Sequence, residues 1–265
     1  MPYSNIKDIQ NSYDERNIPI EKVGVKNINY PIVVLDKVHK TQHTVASINM
    51  YVNLPKEFKG THMSRFIEIL NKYRVKIGID NFDSILDEMI EVLNAESAHL
   101  EVSFPYFIEK SAPVTGSKGL MEYHCSFIGS KRKREKLDFI LTVKVPVTSL
   151  CPCSKEISDF GAHNQRSIIT ASIKFNKFVW IEELIEILET CCSCPLYSVL
   201  KRPDEKYVTE KAFNNPMFVE DMVREAAIKL KADPRIIWFE VEAENFESIH
   251  NHSAYAYIES EQLNG

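Results

Sequence analysis

One order of hydrophobic patterns occurs twice along this chain, and that duplication restricts the fold more than any other feature. From Tyr30, the run YPIVVLDKV and residues 41–54 carry apolar side chains at strand spacing. Thr61 then offers an N-cap for a helix from about residue 62, in which Phe66, Ile67, Leu70 and Tyr73 share a face. Asn81 to Ser84 opens a second helix with the stripe Ile85, Leu86, Met89, Ile90 and Leu93, and strands at 98–110 and 120–129 close the unit. The second half repeats this with strands at 137–148 and 168–175, a helix at 180–191, a long loop to residue 215, a helix at 217–231, and strands at 236–245 and 253–259. Both halves read ββααββ, an α+β pattern with hairpin-joined, hence antiparallel, strands. The repeat lies in element order, not residue identity. The expected organisation is a polar lead-in over residues 1–29, to which no chemistry is assigned, a first module over 30–130 and a second over 131–265.

Reactive side chains concentrate between the first two strands of the second half. The run Val145 to Ser167, VPVTSLCPCSKEISDFGAHNQRS, holds two thiols, an imidazole, both charge signs and two amides between apolar segments. That composition predicts a loop, where functional groups commonly sit. Pro146 fits poorly in a central strand, and Pro152 fixes φ between Cys151 and Cys153, stiffening the corner that presents them. His163 follows Cys151 by twelve residues, a separation a folded-back loop can close. Such a pair plus one oxygen ligand would hold a metal with a fourth position open to water, as in catalytic sites. A closed four-thiolate zinc site drawn from Cys151, Cys153 and the Cys191-Cys192-Ser193-Cys194 cluster is the other reading the counts permit. That cluster also reads as an apolar helix end, and Cys125 as an inert thiol.

Composition excludes several classes. With 265 residues, 44% hydrophobic and 26% charged, the chain is long enough for a substantial core. A net charge of −5 argues against general nucleic-acid binding. No apolar run reaches the roughly 18 residues of a membrane span and no hydrophobic signal region opens the chain, so a cytoplasmic protein without membrane contact is expected. The basic run Lys131 to Arg134 reads as a solvated hairpin tip or, less simply, a phosphate contact.

Three further places carry titratable groups. The stretch 200–221 offers Asp204, Glu205, Glu210, Glu220 and Asp221; Glu220, in the first turn of a helix beside Phe218 and Val219, is expected to be partly enclosed. His250 and His252, with Glu247 nearby, join the last two strands and would share a face in extended backbone. His62, at a helix start beside Ser64 and Arg65, could meet an anion.

At these residues a family resemblance enters. The run VPVTSLCPCSKEISDFGAHNQRS closely resembles the signature of GTP cyclohydrolase IB, the metal-dependent second type of GTP cyclohydrolase I. The segments KGTHMSRF, KRPDEK to FVED, and ESIHNHSAYA resemble that family's further motifs in the same order. The resemblance implies a tunnelling fold, two ββααββ modules per chain with antiparallel sheets and helices on one face, assembled as a homotetramer with sites at subunit interfaces. It implies conversion of GTP and water to 7,8-dihydroneopterin triphosphate and formate, the first step of tetrahydrofolate biosynthesis. It implies one divalent metal per site, zinc, manganese or iron(II), held by Cys151, His163 and Glu205, with Glu220 holding the guanine. Cys151, Cys153, Glu247, His250 and His252 would form the catalytic group, and Arg65, Arg166, Lys201, Arg202 and His62 are candidates for the triphosphate. A tunnelling-fold nitrile reductase with a cysteine nucleophile, or a zinc-stabilised binding protein, are the competing readings.

Overall fold

A computed structural model of the chain describes residues 8–73 and 77–261, which form two compact units. The first contains β1 (Ile20–Asp36), β2 (Lys40–Leu54), α1 (Met63–Lys72) and α2 (Ile79–Val92). It also takes β3 (Ser97–Ser111) up to Phe104 and β4 (Lys118–Arg132) from Ser126 onward. Its strands lie in the order β1-β2-β3-β4. Period-two alternation buries one face: Ala46, Ile48, Met50 and Val52 on β2, and Ala98, Leu100, Val102 and Phe104 on β3. The helices contribute Phe66, Ile69 and Leu70 from α1, and Phe82, Ile85, Leu86 and Met89 from α2. Phe82 stands edge-on to Phe127 and Phe139, with ring centroids 6.1 and 5.2 Å away. Gly129 permits that closeness, because a Cβ there would lie 2.5 Å from Phe82 Cδ1.

The second unit takes β3 from Pro105, β4 up to Cys125, and β5 (Asp138–Leu150) from Leu141. It continues with α3 (Pro152–Ile157), β6 (Asn164–Phe175), α4 (Ile181–Glu189), the two-residue β7 (Cys194–Pro195), α5 (Arg202–Asn214), α6 (Val219–Ala232), β8 (Ile236–Asn245) and β9 (Ala254–Glu259). Strands run in the order β3-β4-β5-β6-β8-β9, with β7 on β5. Val143, Val145, Val147, Ile169, Ala171, Ile173 and Val241 form the buried sheet face, and α4 and α6 supply Leu184, Leu188, Met222, Ala226 and Leu230. Among the described residues, no helix is long and apolar enough to cross a membrane.

The ββααββ order is present in the first half and, once α3, β7 and α5 are set aside as additions, in the second, with differences that have physical causes. β1 begins at Ile20, so residues 20–29 are strand rather than lead-in. Register shifts between Ile20 and Val23 and between Val25 and Ile28, with Asn27 at φ 58°, break the alternation that would have announced it. Residues 202–214 are helix α5, not loop; only Asp204 and Ala212 are buried on it, too few for a legible stripe. β5 and β6 extend further than expected, to Leu150 and from Asn164, and Pro146 sits inside the ladder opposite Ile168. The compact units divide β3 and β4 instead of separating at residue 130. Lys131 is no solvated tip residue: its ammonium lies 2.7 Å from both Asp83 and Asp87.

Candidate active site

The β5–β6 ladder sets the site. Its last pair is Leu150 with Asn164, and one step beyond it the Cys151 N–H donates to the His163 carbonyl at 3.1 Å. The intervening residues fold back through α3, started by Pro152, whose fixed φ suits a first helical position. Cys151 caps this turn, its Sγ accepting the Ser154 N–H at 3.4 Å. Ser154 Oγ donates to the Cys151 carbonyl and accepts the His163 N–H, both at 3.2 Å, so one hydroxyl ties the two residues together. Gly161, at φ 87°, supplies the left-handed step that turns the chain back. Ala162 packs with Val208 against Leu150, Cys194 and Ala212, seating the loop on α5. Lys155 reinforces this by donating to the Phe213 carbonyl and lying 4.4 Å from that ring's centroid. Cys153 is exposed on α3.

The His163 ring has two neighbours on one nitrogen. Nδ1 lies 3.1 Å from Gln165 Oε1 and 3.3 Å from Ser248 Oγ. Gln165 Nε2 in turn donates to Glu247 Oε1 at 3.3 Å. The structure therefore ties His163 to Cys151 through the backbone and Ser154, and to Glu247 only through Gln165. The segment after β8 is held in place by the Phe246 N–H, which donates to the Arg166 carbonyl at 3.0 Å. On that segment His250 and His252 are exposed and stack, ring centroids 5.0 Å apart and planes 14° from parallel. Residues 246–253 are not strand, so ring stacking replaces the shared strand face expected from their spacing.

Glu205 sits in the first turn of α5, exposed, beside a carboxylate of opposite fate. Asp204 is fully buried and accepts from the N–H groups of Val114, Thr115 and Lys201, each at 2.9 Å, and from Thr115 Oγ1 at 2.7 Å. Burial alone would raise its pKa, but these donors outweigh that and hold the carboxyl well below its usual range. Lys201 and Arg202 are exposed at the same helix start, and Arg166 is exposed on β6. Glu220 is exposed as well, not enclosed as expected, because its neighbour Phe218 is itself 44% exposed and Asp221 is the residue that caps α6. His62 and Arg65 belong to the first unit, where His62 Nε2 lies 3.1 Å from Asp8 Oδ2 and Arg65 donates to the Val92 carbonyl at 2.9 Å.

A family model described as "Type I GTP cyclohydrolase folE2" matches residues 6–256. The GTP cyclohydrolase FolE2 of Geotalea uraniireducens (strain Rf4) is 65% identical over 257 residues, covering 97% of this chain and 94% of that protein. This chain belongs to the type I GTP cyclohydrolase FolE2 family. The FolE2 of Geobacter sulfurreducens is 63% identical over 255 residues, covering 96% of this chain and 98% of that one. The sequence motifs point to type IB; the match is to the type I FolE2 family. Among solved structures, a uricase from Bacillus fastidious superposes with a TM-score of 0.56 at 6% identity, covering 92% of this FolE2-family chain and 94% of that one. A highly active mutant of Bacillus sp. TB-90 urate oxidase gives 0.54 at 9%, covering 91% and 99%. At such identities the likeness concerns fold alone, and the fold is the α+β tunnelling fold.

The donor chemistry fits a divalent cation. A cysteine sulfur that accepts an amide hydrogen and an imidazole held at one nitrogen offer the sulfur and nitrogen ligands that borderline metals take. Among the described residues, no three His, Cys, Asp or Glu side chains gather closely enough to hold a metal ion within one chain. Cys151 and His163 are paired; Glu205 stands apart on α5. Asp204, named in the sequence only as one of several carboxylates, also shapes the site, and Gln165, Ser154 and Ser248 were missed as site residues. Only Gln165 left a signal, two positions from His163, and that parity becomes meaningful once β6 is known to start at Asn164.

Proposed function

We propose that this FolE2-family chain is a metal-dependent GTP cyclohydrolase of type IB, converting GTP and water to 7,8-dihydroneopterin triphosphate and formate at the head of tetrahydrofolate biosynthesis. The observation that carries the reading is the backbone pairing of Cys151 with His163, inside a family match over residues 6–256. Cys151, His163 and Glu205 would hold zinc, manganese or iron(II). When bound, such a cation acidifies water from a pKa of about 16 towards 7, which suits attack on the weakly electrophilic C8 of guanine.

The chain's own side chains do the rest. Glu220 accepts the guanine N1 and exocyclic amino hydrogens on its two oxygens. Glu247, His250, His252 and Cys153 move protons as the imidazole ring opens, formate leaves and the pterin ring closes. Arg166, Lys201 and Arg202 face the triphosphate, with Arg65 and His62 as further anion contacts. The exposure of Glu220, of both histidines and of Phe160, 97% exposed and three residues before His163, suits a site completed by a second copy within a homotetramer. The working compartment is the cytoplasm, with no nucleic-acid or membrane partner.

Anaerobically purified protein given GTP and each metal in turn should release formate and a product that becomes a fluorescent pterin on oxidation; silence with zinc, manganese and iron(II) alike refutes the reading. Cys151→Ala should lower metal content and turnover together, whereas Glu220→Ala should keep its metal and lose GTP binding. Normal metal content in Cys151→Ala would overturn the ligand assignment.

A further inference from the structure

We infer that Gln165 is a positioning residue that selects the ring tautomer of His163 and so determines which nitrogen is offered to a ligand. The argument runs along three side chains. Glu247 Oε1 lies 3.3 Å from Gln165 Nε2, and Gln165 Oε1 lies 3.1 Å from His163 Nδ1. A carboxylate oxygen accepts and cannot donate, so Gln165 turns its NH2 towards Glu247. Its carbonyl oxygen then faces His163, and a carbonyl also only accepts. The proton of the neutral imidazole must therefore reside on Nδ1, leaving the lone pair on Nε2. Ser248 Oγ, 3.3 Å from the same Nδ1, adds a second acceptor to that N–H.

Two features make this a built arrangement. Gln165 is 8% exposed, so water competes little for its amide. Its backbone is fixed in β6, paired with Ser149 of β5, so Glu247, not solvent, decides which way the amide points. Glu247, 82 residues beyond Gln165 in sequence, thus acts on His163 without touching it. The pattern is that of an outer partner that orients a ligating histidine, and such partners affect metal affinity by roughly 10- to 100-fold. The effect on the cation rests on the proposed function; the tautomer does not.

The test reads both. In full-length metal-free protein labelled with 15N-histidine, long-range 1H–15N couplings, assigned with His163→Ala, should place the His163 proton on Nδ1. In Gln165→Leu it should move to Nε2, and zinc affinity, measured by competition with a chromophoric chelator, should fall roughly 10-fold or more. The exchanged pair Gln165→Glu with Glu247→Gln keeps an acceptor facing Nδ1 and should restore the tautomer and most of the affinity. A wild-type ring protonated on Nε2 overturns the inference, and so does a Gln165→Leu variant unchanged in both readouts. Should Gln165→Leu not fold, the wild-type tautomer alone decides. A wild-type chain with the Nδ1 proton but no zinc binding would instead refute the metal site while sustaining the role of Gln165.

Discussion

Replacing Glu189 with alanine should be among the most destabilising single changes in the second unit. Glu189 Oε1 accepts from Lys110 Nζ and from Tyr123 Oη, both at 2.7 Å. The Lys110 and Glu189 side chains are each only 15% exposed, and Tyr123 is 1% exposed. Lys110 also donates to the Leu196 carbonyl at 2.8 Å and lies 4.4 Å from the Tyr197 ring centroid. Truncation leaves the ammonium with one neutral acceptor and the Tyr123 hydroxyl with none. Removing one partner of a buried ion pair costs about 3–5 kcal/mol, and the orphaned hydroxyl, by itself about 1–3 kcal/mol, places the expectation at the upper end. With a urea slope of about 3 kcal/mol per molar, the midpoint should fall by roughly 1.3–1.7 M. Glu189→Gln keeps an acceptor for Tyr123 and should lose about half as much. Equilibrium urea unfolding, followed by tryptophan fluorescence at one protein concentration and one metal content, measures both. A midpoint shift below about 0.3 M for Glu189→Ala, or equal shifts for the two variants, would refute the reasoning.

The same neighbourhood predicts an alkaline limit. Burial pushes Tyr197 and the Cys192 thiol up to about 12, from ordinary values of 10.0 and 9.0, and burial with the nearby Glu189 raises Tyr123 further. The unfolded chain releases these protons first, so stability present in full below pH 9 should decline as pH rises from 9 towards about 12. Urea midpoints identical at pH 8 and pH 11 would contradict it. Thiol labelling supplies the last check: Cys153 is exposed and Cys151 half-buried, while Cys125, Cys191, Cys192 and Cys194 are buried. Native protein should therefore react at no more than two cysteines, and the other four only on unfolding; rapid modification of six would mean the cores are not packed as described.

What the sequence made legible follows from where each signal originates. Ala46, Ile48, Met50 and Val52 alternate because one face of β2 is buried, and Ile85, Leu86, Met89 and Ile90 recur at helical spacing because one face of α2 is. Those patterns are direct imprints of burial. The first ten residues of β1 have almost none, and α5 buries Asp204 through hydrogen bonds instead of apolar contact, so both escaped a reading based on hydrophobic period. Within the site, Cys151 and His163 were recognisable as a pair because a loop of twelve residues can close on itself. The position of Gln165 between His163 and Glu247 was not, since it depends on a strand end meeting a segment 82 residues away. The exposure of Glu220 likewise reflects how α6 begins, with an outward Phe218, which composition does not encode.

The hydrogen bond from Cys151 to His163 continues the ladder that joins β5 to β6, so the spacing of the two side chains is inherited from strand register. A slip by one residue would turn alternate side chains to the wrong face and part the thiol from the imidazole together. Anything that must touch both groups therefore binds one register and rejects its neighbours, and by mass action it deepens the native alignment relative to misaligned ones. Occupancy of the site would then act as a proofreader of the sheet, rewarding chains that have zipped correctly and leaving mispaired ones to open and try again.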